Sequence, residues 1–307
     1  MERIEGLVVR ATGSWYEVLH EGETLRCRIR GRLRLRGVRS TNPVVVGDTV
    51  YCECDERGEW VICDIAPRRN YVIRRASNLS KESHIIAANI DRAMIVVTLI
   101  EPVTALEFVD RFLVTCEAYK IPVTILLAKC DLLAAIPEAV AEFRQTYESA
   151  GYEVIEISAT EGIGVDRVRE MLDGKVTLLS GNSGVGKSTL VSRIDPSLDV
   201  RTGEISESFH KGKHTTTFST MYRIGEGGYI IDTPGIKGFG LLDIEDKELW
   251  HYFPEMISRA SECRFYNCTH THEPGCAVCE AVREGEIAYS RYESYLKILD
   301  EDDKYRK

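Results

Sequence analysis

Several things are missing from this 307-residue chain, and each absence narrows the reading. It has no run of about 18 or more apolar residues, which excludes a membrane-spanning helix. Its opening, "MERIEGLVVRATGSW", lacks the basic-then-apolar layout of a secretory signal, so a cytoplasmic protein is expected. It has no compositional bias: 44% apolar and 28% charged residues belong to a globular chain, not a disordered or fibrous one. It lacks an excess of positive charge. The formal net charge of −9 argues against a generic polyanion binder, although a local basic patch can override it. The length suits two domains or so, each able to bury a core.

Cysteine is not scarce. There are ten, and in a reducing compartment they need a role other than disulfides. Six are scattered. Four fall within 263–279, in "CRFYNCTHTHEPGCAVC". Cys263, Cys268, His270 and Cys276 form C-x4-C-x-H-x5-C, three thiolates and an imidazole suited to one closed, structural Zn2+ site; Cys279 and His272 are spare donors.

Local texture divides the chain. Residues 1–66 read as short strands separated by Gly, Asn, Pro and Asp turns, which predicts a small barrel or sandwich. Pro67 then carries the chain out. From 92 on, continuous apolar strands ("RAMIVVTLI", "VTILLAKCD", "YEVIEISA", "KVTLLSG") alternate with helical patterns at 104–119, 136–149, 164–173 and 187–193, which predicts a mostly parallel α/β sheet. In the first helix Leu106, Val109, Phe112, Leu113 and Cys116 share a face. "GYIIDTPG" adds a strand. Residues 244–252 and 287–300 read as helices, and "DEDDKYRK" as a frayed tail.

Between a strand and a helix lies "GNSGVGKST", 181–189: Gly181, Asn182, Ser183, Gly184, Val185, Gly186, Lys187, Ser188 and Thr189. Its glycines let backbone N–H groups turn onto phosphates. Lys187 would reach the β and γ phosphates and the Ser188 hydroxyl would ligate Mg2+. Asp232 and Gly235 of "DTPG" suit the outer magnesium shell and the γ-phosphate. In "GKHTTTFST", Thr216, with Thr215 as the alternative, would complete the magnesium coordination. Two base-reading motifs precede the loop. In "AKCD" the Asp131 carboxylate would accept from guanine N1–H and N2–H2 while the Lys129 stem packs on the ring; in "SAT" the backbone of Ser158 and Ala159 would meet O6. The motif order is that of a circularly permuted GTPase. Such a permutation is permissible because ligand sites in these sheets lie at the strand carboxyl ends, whichever strand comes first.

With these motifs the chain resembles the RsgA (YjeQ) family, circularly permuted GTPases of small ribosomal subunit assembly. The resemblance covers the strand-rich start, the permuted GTPase, "KGKHTTT", "DTPGIKGFG" and the Cys/His cluster. It implies three domains: an OB-fold barrel at 1–72, the GTPase at 73–241 and a zinc-binding helical unit at 242–307. It also implies a chain that grips the small (30S) subunit through its rRNA and releases on hydrolysis of GTP to GDP; a monomer is expected. The departure is Ala128, where the family usually has Asn, and this should weaken nucleotide affinity more than base selectivity. The residue after "DTPG" is Ile236, which cannot orient water, so turnover is expected to be slow alone, with His214 the candidate to position water. The alternating Arg26, Arg28, Arg30, Arg32, Arg34 and Arg36 would line one strand face; with no carboxylate interleaved, an external anion such as rRNA is the expected counter-charge. The alternative is a nucleotide-sensing RNA-binding module with negligible turnover.

Overall fold

The computed structural model describes residues 3–12, 15–29, 43–75, 83–201, 220–225, 227–232 and 244–305. Arg30, Arg32, Arg34, Arg36, His214, Thr215, Thr216, Gly235 and Ile236 lie outside the described residues. The chain divides into two compact units, Met1–Ala93 with Val165–Ser180 and Lys187–Leu242, and Met94–Gly164 with Gly181–Gly186 and Asp243–Lys307.

The first unit begins with β1 (Arg3–Ala11), β2 (Tyr16–His20), β3 (Glu23–Ile29), β4 (Thr49–Cys54) and β5 (Trp60–Ile65). They are ordered β1-β2-β3-β5-β4, and β4 pairs back onto β1, closing a five-stranded barrel. The β3–β5 pair is parallel and the others are antiparallel. This closed ring is OB-like and leaves no free edge. Alternation at period two explains the filling: Val8, Tyr16, Val18, Cys27, Val44, Val50, Cys52 and Ile62 form the core. Asp48 and Arg68 tie the exit segment to the barrel by a buried bidentate pair at 2.6 and 2.7 Å. The exit is not a plain linker. Tyr71–Arg75 forms β6, which pairs with β7 (Ser83–Ala88) as an antiparallel hairpin.

The same unit contains α3 (Val165–Leu172), β11 (Val176–Gly181, whose last residue opens the other unit's loop), α4 (Lys187–Ile194), β12 (Thr220–Ile224) and β13 (Gly228–Asp232). β11 and β13 are parallel, β12 and β13 antiparallel. Gly228 is required where β13 passes α3, since a Cβ there would lie 2.2 Å from the Leu172 carbonyl oxygen.

The second unit holds β8 (Arg92–Val97, from Met94 on), α1 (Leu106–Ala118), β9 (Val123–Ala128), α2 (Pro137–Ser149) and β10 (Glu153–Ile157), with strand order β10-β9-β8. As the apolar runs require, Met94–Val97 and Ile125–Leu127 are wholly buried, and α1 turns Val109, Phe112, Leu113 and Cys116 inward. Its C-terminal part contains α5 (Pro254–Ala260), α6 (Ala277–Glu284) and α7 (Tyr289–Tyr305). Two expectations change here. Residues 246–252 form a 3-10 helix, and Pro254 opens the next helix. The expected frayed tail is helical as far as Tyr305, because α7 is anchored upstream by the buried Arg291, Tyr292, Tyr295 and Ile298.

Arg291 joins these helices to α1. Its side chain is 1% exposed. Nη1 donates to Asp110 Oδ1 at 2.7 Å, and Nε and Nη2 donate to Glu255 at 2.8 and 3.3 Å. The Tyr147 hydroxyl donates to the same Asp110 oxygen at 3.0 Å. The Phe253 ring lies 4.8 Å from the guanidinium carbon. Among the described residues no helix is long and apolar enough to cross a membrane.

Candidate nucleotide site and metal centre

Parallel pairing sets the edge that carries the residues expected to read the base. Ile157, the last residue of β10, is in register with Ala128, the last residue of β9. Lys129–Asp131 and Ser158–Ala159 therefore leave the sheet side by side. Lys129 adopts a left-handed conformation (φ 60°) and starts a 3-10 turn, Cys130–Ala135, that leaves Asp131 exposed. The Lys129 ammonium donates to the Glu101 carbonyl, which fixes its stem across this edge. Ser158 is buried. Its hydroxyl meets Thr160 Oγ1 at 3.1 Å and accepts from the Glu161 N–H at 3.2 Å, and its own N–H donates to the Ile163 carbonyl. Those bonds tighten the turn and leave Ala159 half-exposed at its tip. Ala128 itself is buried and offers no polar group at the position of the usual Asn.

The phosphate loop connects β11 to α4. Gly181, Gly184 and Gly186 have φ of 143°, 82° and 103°, conformations closed to most side chains. A Cβ on Gly181 would lie 2.6 Å from the Val96 carbonyl oxygen, so the close approach as well as the backbone demands glycine. Val185 is wholly buried and pins the loop. Lys187 and Ser188 open α4, where helix N–H groups have no intrahelical acceptor. Thr189, next along α4, is exposed, and Asn182 is half-buried. Ser183 is exposed beside Gly184, where a Cβ would touch Pro102 at 3.5 Å. Asp232 ends β13 in register with Leu179 of β11, two residues before Gly181. The backbone thus puts the D-x-x-G aspartate at the end of the strand that flanks the phosphate strand.

The four cysteine-cluster donors converge: the ligand atoms of Cys263, Cys268, His270 and Cys276 all lie within 4.8 Å of one another. Cys263 Sγ and Cys276 Sγ are 3.9 Å apart, and His270 Nδ1 is 3.6 and 3.4 Å from them. Burial pushes the Cys268 and Cys276 thiols up and the His270 imidazolium down, so at neutral pH the imidazole is held neutral, as a ligand must be. His270 Nε2 is buried and has no partner among the described residues, so Nδ1 is the nitrogen that faces the thiols. These donors fit a metal ion. Cys279 is not one of them: its N–H donates to Cys276 Sγ at 3.4 Å and its thiol to the His270 carbonyl. His272 is exposed and meets Thr271 Oγ1.

Three groups that the sequence pattern did not reveal hold this knuckle. Glu273 accepts from the backbone N–H of Thr269, Thr271 and His272 at 2.7, 3.1 and 3.2 Å, and from the Thr269 hydroxyl at 2.6 Å. Tyr292 and Tyr295 donate to the carbonyls of His270 and Thr269 at 2.8 and 2.6 Å. Together they hold His270 in a left-handed conformation, φ 57°. The one local signal was a carboxylate three residues after the histidine.

Arg26 and Arg28 are exposed on β3 with the buried Cys27 between them, as period-two alternation requires. Each guanidinium carbon is 4.0 Å from the Trp15 ring centroid. The expectation of no internal counter-charge is corrected at Arg28, which pairs with Glu59 at 3.3 Å. The carboxylate comes from the edge of β5, which only strand pairing brings alongside.

Comparison with known proteins agrees with this geometry. The RsgA N-terminal domain model matches residues 5–62, and the RsgA GTPase model matches 65–242. A Bacteroides fragilis protein named small ribosomal subunit biogenesis GTPase RsgA is 51% identical over 310 residues, covering 99% of both chains. A Porphyromonas gingivalis protein of the same name is 50% identical, covering 99% of this chain and 98% of its own. Among solved structures, YjeQ from Thermotoga maritima matches with a TM-score of 0.79 at 35% identity over 98% of each chain. YloQ, described as a circularly permuted GTPase, matches with 0.75 at 29% identity, over 100% of this chain and 96% of that one.

Proposed function

The chain belongs to the RsgA GTPase family and is a GTP hydrolase, and from that premise we propose that it acts in late maturation of the small (30S) ribosomal subunit, binding its rRNA with GTP and releasing on hydrolysis to GDP. The observation that supports this reading is the register of β9 and β10, whose last residues Ala128 and Ile157 pair, so that the segments carrying the exposed Asp131 and the Ser158–Ala159 turn leave the same end of the sheet. Asp131 accepts from guanine N1–H and N2–H2, a donor pair adenine lacks. Lys129 packs its stem on the base, and the Ala159 backbone faces O6. Gly181–Thr189 wraps the phosphates, with Lys187 supplying charge as the γ-phosphoryl departs. Ser188 and Thr216 would hold Mg2+, which would supply charge neutralisation on the phosphates, with Asp232 in its outer shell. The Gly235 N–H senses the γ-phosphate. His214 positions the attacking water, since Ile236 has no group to do so.

At the cysteine cluster we assign Zn2+ in a structural role. A tetrahedral zinc with Zn–S of about 2.3 Å and Zn–N of about 2.0 Å has S···S edges of about 3.8 Å and S···N edges of about 3.5 Å. The separations of 3.9, 3.6 and 3.4 Å support that choice. We divide the chain functionally at 1–72, 73–241 and 242–307, with Arg26–Arg36 as the barrel's rRNA face, and take it to work in the cytoplasm as a monomer.

The test is GTP turnover by the full chain alone, with isolated small subunits and with large subunits. Stimulation by small subunits alone is expected. Equal rates in all three arms would overturn the reading and favour a nucleotide-sensing module, which the buried Ala128 at the base motif makes the natural competitor.

A further inference from the structure

We propose that the loop between the first two metal ligands, Cys263 to Cys268, is a stacking platform for one unpaired RNA base, with Tyr266 as the stacking ring. The proposal rests on the reading that the chain binds small subunits and names a contact within it.

Aromatic side chains are normally covered. Among the described residues only Phe265, Tyr266 and Tyr289 are exposed aromatics, and all three belong to the metal-bearing segment. Tyr266 is 101% exposed and Phe265 40%. A floppy tail could show such values trivially, but this loop is held at every turn. Cys263 and Cys268 are committed to the ligand cluster. The Arg264 N–H donates to the Gly275 carbonyl at 3.1 Å, and the Cys268 N–H donates back to the Phe265 carbonyl at 3.2 Å. Gly275, at φ 73°, lets the two segments approach: a Cβ there would sit 3.3 Å from Arg264 Cβ. The rings are therefore presented on a fixed frame, so little ordering entropy opposes their use in binding.

The chemistry around the rings selects the ligand. Arg264 lies with its guanidinium carbon 5.5 Å from the Phe265 centroid, and no carboxylate pairs with it among the described residues. Cys263–His272 contains no acidic residue, and the Glu273 carboxylate is turned onto backbone N–H groups of Thr269–His272. The site thus offers one free aromatic face, a second ring and an uncompensated cation. That combination fits a base with its phosphate. An apolar protein partner would need a contiguous patch larger than two rings, whereas the Phe265–Tyr266 pair is bracketed by Arg264 and Asn267.

The experiment uses the metal-loaded full chain and its Tyr266→Ala, Tyr266→Phe and Tyr266→Leu variants, each checked for metal content and GTP affinity, which should be unchanged. Two affinities are measured: for isolated small subunits with a non-hydrolysable GTP analogue, and for a 12-nucleotide single-stranded RNA carrying 2-aminopurine. Loss of one base–aromatic stack should weaken particle binding by about 5- to 150-fold in the Ala and Leu variants, with Phe retaining wild-type affinity. The 2-aminopurine quenching seen with wild type should be lost in the same two variants. Wild-type affinity in Tyr266→Ala, or rescue by Leu, overturns the proposal; rescue by Leu would indicate an apolar protein contact instead. If wild type ignores small subunits yet quenches the RNA probe through Tyr266, the small-subunit reading fails and the stack stands.

Discussion

Replacing Arg291 by Met removes a buried cation while keeping most of the side-chain volume. What remains is Asp110, wholly buried, and Glu255, nearly so, each deprived of a partner at 2.7–2.8 Å. Breaking one side of a buried ion pair costs about 3–5 kcal/mol, because the surviving charge is left unsolvated. Here two carboxylates lose their cation, although the Tyr147 hydroxyl still donates to Asp110, which puts Arg291→Met toward the upper end, about 10³- to 10⁴-fold in the folding equilibrium. The cost has a pH signature. Burial pushes the Asp110 carboxyl up, against the pull of Arg291. Without that pull the folded-state value rises further above the unfolded one. A carboxyl raised in the folded state binds more protons there than in the unfolded chain, so stability is gained on acidification and lost as pH rises through the folded value. The difference between wild type and variant should therefore shrink as pH falls from 8 toward 5.5. Urea unfolding read by hydrogen exchange at α1 and α7 measures it. The double variant Arg291→Met/Asp110→Asn should recover part of the loss at pH 8, since it deletes one stranded charge. A loss below about 1 kcal/mol at pH 8, or one that does not depend on pH, would refute the assignment of Arg291 as the electrostatic joint between α1 and the C-terminal helices α5 and α7.

Three further outcomes follow from local geometry. Gly181→Ala should weaken GTP binding more than Gly186→Ala, which has a positive φ in the same loop but open space for a Cβ; the contrast, read by nucleotide titration, separates the 2.6 Å approach to Val96 from the generic cost of positive φ. Glu273→Gln should lower metal affinity by about 10- to 100-fold in chelator competition, as loss of an outer-shell positioning group does, without changing the metal-to-protein ratio at saturation. Ala128→Asn should tighten GTP binding by restoring a polar tie at the end of β9, leaving the GTP-to-ATP preference unchanged; a change in preference instead of affinity would contradict the role given to Asp131.

Much of this molecule is legible in its sequence because the controlling physics is local. The strands β8, β9 and β11 announce themselves as mostly apolar runs, and the phosphate loop by glycines at positive φ. The cysteine spacing likewise contains four of the six available Cys and His donors in the right places. What was illegible is what pairing at a distance creates. The β6–β7 hairpin hides in "YVIRR" and "SHIIAA", where the twin arginines and a bulge between Val72 and Ile73 break the alternation. Helices α5 and α6 are seven and eight residues long, too short for periodicity to declare them, and α6 takes Cys276 of the cysteine cluster as its N-cap. The Arg28–Glu59 pair joins strands that are not sequence neighbours. Nothing in the sequence around Arg291 marks it as a buried joint. Its partners Asp110 and Glu255 are 181 and 36 residues away.

The central claim is that a permuted guanine-nucleotide site, with Asp131 reading the base, drives turnover on the small ribosomal subunit. It is tested most directly by steady-state hydrolysis of GTP and of ATP by the full chain, with and without isolated small subunits, for wild type and Asp131→Ala. The account predicts slow GTP turnover alone, stimulation by the particle for GTP only, and loss of that preference in the variant. Equal turnover of GTP and ATP by wild type, or a preference that survives Asp131→Ala, would contradict it.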